Sequence, residues 1–391
     1  MKIAICTDLF YPRLEGGGEV HTYNVAKQLV RLGHDVTVLC AKTSYFSQET
    51  DHLLEDEEVV DGIQIMRGRR AYRYGSTFGS LPALTDLYNR LAHMVSNGEV
   101  DVVNFTLYRP WLPSYFAARN RIPCLPTIHL TSEGFGNYRG WVHYDGGIIG
   151  GIAQRAIESV ILRVKYPLVL TVSDTQRRLL SRFLARERIR VVYNGVDLAT
   201  YDSVESEGKN PTQLVYIGWL KRRKNVLDAI KAVELARKHV HDLRLLIISG
   251  GGEHEPLVRR ACQQREYIQY HKKIADVQKI KLLKESSLLL FPTLKEGFSL
   301  VPLEGLACRT PFLAYDIPAM RELYELTKGG KLVQSFHVQQ LANGIVELLR
   351  NRSRLLEMGE SGRKRVEDYM TWEAVARREA QAFKDAMDAY A

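Results

Sequence analysis

Two glutamates, Glu296 and Glu304, are the residues whose type and spacing most directly indicate chemistry, and seven residues separate them. The apolar run at residues 288–291 predicts a strand before them. Ser299 predicts the N-cap of a helix that carries Glu304 about 8 Å further along, at about 1.5 Å per residue. Ligands of open parallel sheets lie at the carboxyl ends of strands. Two carboxylates in that position can each accept hydrogen bonds from a pair of sugar hydroxyls.

A glycine-rich turn and a histidine lie at two further strand ends. Gly16 and Gly17 follow the predicted strand at residues 2–6 and open a helix. Glycines let backbone N–H groups approach a phosphate, and the helix N-terminus adds partial positive charge; a flexible turn without a ligand is the alternative. His129 follows the predicted strand 124–128 and faces the crevice at its carboxyl end, unless it is a hydrogen-bonded structural histidine.

The segment 296–311 resembles the E-x7-E segment of the retaining glycosyltransferases of family 4, which have the GT-B fold. Residues 16–21 are similar to the Gly-Gly-x-Glu-x-His opening of that family. Residues 194–197, Asn-Gly-Val-Asp, resemble its domain junction. The resemblance extends over essentially the whole chain. It implies a metal-free site, because enzymes of this fold neutralise the leaving group with cationic side chains and helix dipoles.

The resemblance also implies roles for individual residues. Glu296 positions the donor sugar, Glu304 holds the ribose hydroxyls, and His129 orients the sugar or the acceptor. Lys224 and the nearby Arg223 hold the diphosphate as it leaves, although a solvated basic turn is the alternative. Further donor contacts are expected at Gly16, Gly17, Gly218, Gly250, Gly297, Phe298, Ser299 and Leu300.

Three residues depart from the family pattern. Trp219 stands where arginine is usual, and Asn225 and Arg309 stand where glycine is common. Losing a cation that clamps phosphate costs on the order of 10²–10³ in rate, by analogy with the loss of a transition-state donor. Arg222 and Arg223 are the candidates to compensate from the same loop.

Short apolar runs alternate with amphipathic patterns, which predicts an α/β chain with parallel sheets. Predicted strands are 2–6, 36–40, 100–105, 124–128, 168–172, 190–193, 214–217, 243–248 and 288–291. Predicted helices are 20–32, 81–95, 175–185, 226–238, 255–265, 277–283, 338–349 and 372–390. A polar stretch at 203–211 predicts a linker. The expected architecture is two Rossmann-like domains facing a cleft, at 1–200 and 201–371. By the resemblance, the helix at 372–391 packs back on the first domain.

Composition limits the compartment and the partners. The chain of 391 residues carries a net charge of +9, which attracts polyanions such as nucleotide-sugars and anionic membrane surfaces; nucleic acid is disfavoured because no such module is recognisable. Basic clusters at 67–73 and 177–190 contain apolar residues and indicate either a membrane-facing or a solvated surface. Five scattered cysteines, no leader and no apolar run of about 20 residues predict a cytoplasmic protein, with peripheral contact at the inner membrane face left open.

The sequence thus predicts a retaining glycosyltransferase that moves a hexose from a UDP- or GDP-sugar to an acceptor hydroxyl on a glycan, a lipid-linked molecule or a small molecule. It requires no metal or other cofactor, and no Asp-x-Asp triplet occurs in the chain. The acceptor is expected at the loops 68–80 and 133–147. The alternatives are a non-catalytic nucleotide-sugar-binding protein or partner subunit and, less favoured, an epimerase or phosphorylase on the same plan.

Overall fold

The computed structural model divides the chain into two compact units. The first unit comprises Met1–Asn194 and Trp372–Ala391, and the second comprises Gly195–Thr371. The structure describes residues 1–14, 16–42, 54–68, 81–106, 111–130, 162–164 and 166–390. The division thus lies between Asn194 and Gly195 rather than at residue 200. The expected acceptor loops, apart from Gly68, lie outside the described residues.

The first unit is built on an eight-stranded sheet in the order β3-β4-β2-β1-β5-β6-β7-β8. All neighbouring strands are parallel except β3 and β4. Strands β5 and β6 are buried along their whole length and are mostly apolar without alternation, as is usual for parallel strands covered on both faces. The strands are β1 Lys2–Cys6, β2 Asp35–Cys40, β3 Glu57–Val60, β4 Ile63–Arg67, β5 Val102–Thr106, β6 Cys124–Ile128, β7 Val169–Thr171 and β8 Ile189–Val191.

The second unit is built on a six-stranded parallel sheet in the order β11-β10-β9-β12-β13-β14. The strand order reverses between β9 and β12, since β10 lies on the other side of β9. Such a switch point opens a crevice at the carboxyl ends of the two strands, where open α/β sheets bind ligands. The strands are β9 Asn210–Ile217, β10 Arg244–Ser249, β11 Ile268–Lys272, β12 Ser286–Phe291, β13 Phe312–Tyr315 and β14 Gly330–Val333.

Helices connect the strands of both sheets. The helices of the first unit that precede β8 in the chain are α1 Gly17–Arg31, α2 Leu81–Ser96, α3 Trp111–Arg119 and α4 Asp174–Leu180. Those of the second unit are α5 Leu198–Asp202, α6 Val226–Ala236, α7 Glu255–Gln264, α8 Asp276–Glu285, α9 Leu300–Ala307, α10 Pro318–Thr327, α11 Val338–Arg350 and α12 Arg352–Tyr369. The last helix, α13 Trp372–Asp388, returns to the first unit and packs on α1.

The predicted fold class is confirmed, and so are most predicted elements; β1 and β6 match their predicted bounds. The helix predicted at 175–185 is too long, because α4 ends at Leu180. Beyond it Arg182 and Phe183 are exposed, so little burial stabilises another turn. The predicted linker is also too long, since β9 begins at Asn210. Within the described residues, the structure has no helix that is both long and apolar enough to cross a membrane.

Strands β3, β4, β11, β13 and β14 were not predicted. Strand β11 has an exposed or half-buried side chain at four of its five positions, so it has no apolar run to indicate it. Strands β13 and β14 have only four residues each, and apolar runs of that length cannot be distinguished by periodicity from the end of a helix. Their pairing with β12 and with each other is what makes them strands.

Candidate active site

Lys224 and Glu296 meet at the switch point of the second sheet. Lys224 ends a 3₁₀ turn that follows β9, and Glu296 lies in the loop that follows β12. Lys224 Nζ donates to Glu296 Oε1 over 2.5 Å, and Thr293 Oγ1 donates to the same oxygen over 2.8 Å. Both side chains of the ion pair are only 10% exposed. The structure therefore brings together two of the three residues predicted to be catalytic.

Arg223 adds a second cation to this carboxylate. Its Nη1 lies 3.6 Å from Glu296 Oε1 and donates to the carbonyl oxygen of Lys295 over 3.2 Å. The two loops are also joined through their backbones, because Leu294 N–H donates to the carbonyl oxygen of Arg223 over 2.8 Å. Two cations against one carboxylate leave a local excess of positive charge, which favours an anionic ligand.

The charges of the pair depend on each other. Burial alone would raise the pKa of Glu296, but Lys224 and Arg223 more than offset it, so the net shift is downward. Burial lowers the pKa of Lys224, and Glu296 opposes that shift. The carboxyl group is therefore ionised at neutral pH, and removal of either partner would leave a buried charge without its counterion.

Glu304 lies on α9, on the helix where the sequence placed it. Lys279 Nζ donates to Glu304 Oε1 over 3.3 Å, and the Glu304 charge raises the pKa of Lys279. Burial, followed by the negative charge of Glu304, raises the pKa of the Tyr201 hydroxyl. Glu304 therefore sits between a cation and a neutral phenol, where it remains an acceptor for further donors.

The turn that joins the two glutamates differs in one respect from its prediction. Ser299 is the N-cap residue of α9 and has extended backbone angles, but its side chain makes no capping hydrogen bond. Gly297, Phe298 and Ser299 are buried, and Leu300 is half-buried. The amide groups of this turn therefore lie close to Glu296 without a capping hydroxyl from Ser299.

Trp219 lies against Gly250, and Gly218 precedes it at the end of β9. A Cβ atom on Gly250 would lie 2.5 Å from Cη2 of Trp219, so the indole ring packs directly on the glycine. Gly218 has φ +153°, which L-residues with side chains rarely adopt. Trp219 occupies the position where the family usually has arginine. Its indole ring covers Gly250, so this position provides an aromatic surface rather than a positive charge.

The other two departures from the family pattern have a common physical explanation. Asn225 has φ 55° and Arg309 has φ 54°, both in the left-handed region that glycine adopts freely. Asparagine is the side-chain residue that tolerates this region well, whereas for most others it costs about 1–2 kcal/mol. Arg309 also makes an ion pair with Glu360 over 2.9 Å. The chain thus keeps the glycine-like backbone without the glycines.

The glycine-rich turn of the first unit is occupied by a carboxylate. Gly16 is the N-cap of α1, which begins at Gly17. Glu19 is buried, and its Oε2 lies 2.5 Å from where a Cβ of Gly16 would be. No larger residue fits at this position while Glu19 keeps its place. A phosphate at this turn would meet a carboxylate there, so the predicted phosphate contact of Gly16 and Gly17 stays a prediction.

His129 follows β6 and is buried against His21 of α1. The two imidazole rings are nearly perpendicular, with centroids 4.6 Å apart. Burial, followed by the charge of His21, lowers the pKa of His129 well below its usual value. His129 is therefore neutral at neutral pH, the state in which an imidazole can orient a hydroxyl group.

The sequence analysis missed Glu379, which contacts His21 beside His129. It lies on α13 among the buried residues Val375, Ala376, Ala380 and Phe383, at positions that share the apolar face of the helix. A carboxylate on an apolar helix face is the signal that could have revealed it. Of the predicted site residues, Gly16, Gly17 and His129 belong to the first unit, and the others belong to the second.

No group of three or more His, Cys, Asp or Glu side chains that could hold a metal ion occurs in the parts of the chain that the structure describes. The cationic side chains beside Glu296 are lysine and arginine.

Comparison with known proteins gives concordant matches to both units. Residues 15–200 match the model of "Glycosyltransferase Family 4", and residues 199–365 match that of "Glycosyl transferases group 1". A glycogen synthase of Mycobacterium tuberculosis is 24% identical over 98% of this chain and 94% of that protein. Together the two family models span almost the whole chain.

Solved structures have the same fold. A sucrose-phosphate synthase from Thermosynechococcus elongatus has a TM-score of 0.77 at 19% identity, covering 99% of each chain. Anabaena HepE in complex with UDP and glucose has a TM-score of 0.72 at 17% identity, covering 98% of this chain and 99% of that one.

Proposed function

Because the chain belongs to the family 4 glycosyltransferases, which have the GT-B fold, we propose that it moves a hexose from a UDP-sugar to an acceptor hydroxyl with retention of anomeric configuration. The observation that carries this proposal is the buried pair of Lys224 and Glu296, with Arg223 beside it, at the switch point between β9 and β12. The similar HepE binds UDP and glucose, which favours UDP over GDP as the leaving group.

The leaving diphosphate is the group that the cations serve. As the bond between the anomeric carbon and the β-phosphate oxygen breaks, negative charge develops on that oxygen. Lys224 and Arg223 stabilise it electrostatically. Since these cations neutralise the charge, chelation of divalent metals is expected to leave turnover unchanged.

The sugar and the acceptor complete the reaction. Glu296 accepts hydrogen bonds from sugar hydroxyls, and Glu304 accepts them from the ribose. The acceptor oxygen forms its bond to the anomeric carbon on the face that the diphosphate leaves, and its proton passes to the departing phosphate oxygen. His129, being neutral, orients the sugar or the acceptor hydroxyl. No side chain becomes covalently attached.

The non-catalytic alternative depends on Trp219. An indole at this position provides no charge for a diphosphate, so binding without transfer would be the outcome if the cation were indispensable. Arg223, 3.6 Å from Glu296, is the residue that offsets the loss; Arg222 does not, because it is exposed and pairs with Glu253. This geometry favours transfer over binding alone.

The test begins with ligand binding and ends with turnover. UDP, GDP, ADP and CMP are compared by thermal shift, with magnesium and with EDTA; a ligand at a hundred times its Kd stabilises by about 2.7 kcal/mol. The preferred nucleotide then selects the sugar donors for an acceptor screen. Release of UDP with transfer of sugar, and an α-anomeric product from an α-donor by NMR, are expected. Binding of UDP without transfer to any acceptor would support the non-catalytic alternative.

The arginine-rich segment after α4 supports peripheral contact with an anionic membrane from the cytoplasmic side. Arg186 and Arg188 are exposed, and Phe183 of the same segment is 48% exposed. Each arginine near an anionic surface contributes about 1 kcal/mol. In the other predicted basic cluster, at residues 67–73, Arg67 is buried and paired with Glu58, so this arginine does not contribute to membrane binding.

Vesicle binding tests this contact. Co-sedimentation with vesicles that contain phosphatidylglycerol, but not with pure phosphatidylcholine, is expected. Replacing Arg186 and Arg188 with glutamate should abolish it, whereas the same change at the exposed Arg352 and Arg354 of α12 should not. Equal loss with both pairs would indicate only a response to net charge.

A further inference from the structure

His21 of α1 is enclosed by two side chains that come from distant parts of the first unit. Its Nδ1 lies 2.8 Å from Oδ1 of Asn194, and its Nε2 lies 2.9 Å from Oε1 of Glu379. All three residues are at most 2% exposed. Asn194 follows β8 at the end of the first unit's long segment, and Glu379 lies on the returning helix α13.

The partners of His21 determine how many protons its ring must carry. An imidazole nitrogen that faces an oxygen acceptor has to donate, and a ring that donates from both nitrogens is an imidazolium. The buried carboxylate of Glu379 gives an independent reason, since a charge out of water requires a counterion, and the cation that the structure places against it is His21.

The positive charge on His21 acts on the neighbouring ring of His129. Its ring lies against the ring of His21, and its Nε2 is buried with no hydrogen-bond partner among the described residues. A positive charge about 4–6 Å away disfavours a second one. His129 is therefore held neutral, with one ring nitrogen left to meet a ligand.

We propose that Glu379 and Asn194 are positioning residues, which hold His21 doubly protonated so that His21 keeps His129 neutral and oriented with Nε2 available to the transferred sugar or its acceptor. The proposal rests on the role of His129 in the proposed function. The groups that face His21 are Asn194, His129, and Glu379 and Trp372 of α13, the last with its ring perpendicular at 5.7 Å. Helix α13 thereby controls the protonation state of His129.

The first arm of the test requires no turnover. The full-length, ligand-free protein is labelled with ¹⁵N-histidine, and the signals of His21 and His129 are identified by their loss in His21→Gln and His129→Gln. Protons on both ring nitrogens of His21, together with a neutral His129, are expected at neutral pH. A His21 ring with one proton, as would result if the Asn194 amide donated to Nδ1, would overturn the proposal in the wild-type protein itself.

The second arm uses Glu379→Gln, which keeps an oxygen acceptor but removes the charge. His21 is expected to lose a proton, and the titration midpoint of His129 is expected to rise by about 1 pH unit. The acid limb of the kcat/KM profile should move in the same direction. The matched control is Glu373→Gln on the same helix, where the side chain is 60% exposed and pairs with Arg377; it should change neither.

The two arms separate the two hypotheses. An unmoved His129 midpoint in Glu379→Gln would contradict the coupling, whatever the enzyme does. The expected spectra from a wild-type protein that transfers no sugar would instead contradict the proposed function and leave the histidine coupling standing. A purely structural role for Glu379 would lower the melting temperature without shifting either pH profile.

Discussion

The two units position their chemical groups in different ways. In the second unit, Lys224, Arg223 and Glu296 come from two short loops that follow neighbouring strands, and they are held by direct ion pairs. In the first unit, His129 is held against His21, whose partners Asn194 and Glu379 are far away in sequence. The second arrangement depends on charge, and the first depends on the packing of α1 and α13.

The two arrangements control different properties: charge pairing in the second unit, and the orientation and protonation state of a histidine in the first. A carboxylate paired with two cations can bind a ligand through both charges, because a diphosphate can pair with the cations while sugar hydroxyls donate hydrogen bonds to the carboxylate. A neutral histidine in a buried network has no charge to exchange, and its contribution is orientation and protonation state. Charge removal should therefore reduce transfer most in the second unit, while changes in the first unit should alter pH dependence.

The largest expected effect is that of Lys224→Ala. In the proposed function this change removes a cation that stabilises the leaving group, so the rate of sugar transfer should fall on the order of 10²–10³. It also leaves Glu296 buried without its closest counterion, which should lower the free energy of unfolding by about 3–5 kcal/mol. Steady-state kinetics and urea denaturation measure the two effects. Arg222→Ala is the control from the same turn, where the ion pair is exposed; an equal loss there would show that general loop charge is responsible.

A second prediction concerns nucleotide affinity. In the proposed function Glu304 accepts hydrogen bonds from the ribose hydroxyls. Glu304→Gln replaces this carboxyl group with an amide, and hydrogen bonds to charged groups contribute about 1.5–3 kcal/mol. The Kd for UDP, measured by calorimetry, should therefore rise about tenfold to a hundredfold. Glu325→Gln on α10, an exposed glutamate paired with Lys328, should not change it. Unchanged affinity in Glu304→Gln would remove this residue from the donor site.

The pH dependence of stability tests the first unit. Because the pKa of His129 is lowered well below 6.5, the unfolded chain binds a proton below about pH 6.5 that the folded chain excludes. Stability should therefore decrease as the pH falls below that value, and His129→Gln should reduce this dependence. Denaturation curves between pH 5 and 8 measure it, with His239→Gln, an exposed histidine of the second unit, as control. Parallel curves for wild type and His129→Gln would mean that His129 is protonated in the folded state.

The smallest expected effect is that of Trp219→Arg. It restores the cation that the family usually has, but Arg223 and Lys224 already serve the same site, so the kcat/KM should increase by less than about tenfold. One additional ion pair at a solvent-accessible position contributes at most about 1 kcal/mol. An increase of a hundredfold would show instead that Arg223 does not compensate and that the tryptophan has weakened the natural enzyme.

The sequence by itself determined the parts of the molecule that are local. Alternating apolar runs predicted the α/β class, the spacing of Glu296 and Glu304 after a predicted strand indicated a candidate site, and the family resemblance added Lys224 to it. The turn residues Asn225 and Arg309 stood out as departures, but only the structure showed that both have positive φ and so replace glycine in its own conformation.

Tertiary structure alone decided what surrounds His129. His21, Asn194 and Glu379 meet because α13 packs on α1, and no spacing in the chain encodes a contact between residues 21 and 379. The same is true of Trp219 on Gly250, which the loops after β9 and β10 bring together. Periodicity reports which face of an element is buried, whereas the partner of a buried polar group is set by packing between elements distant in sequence.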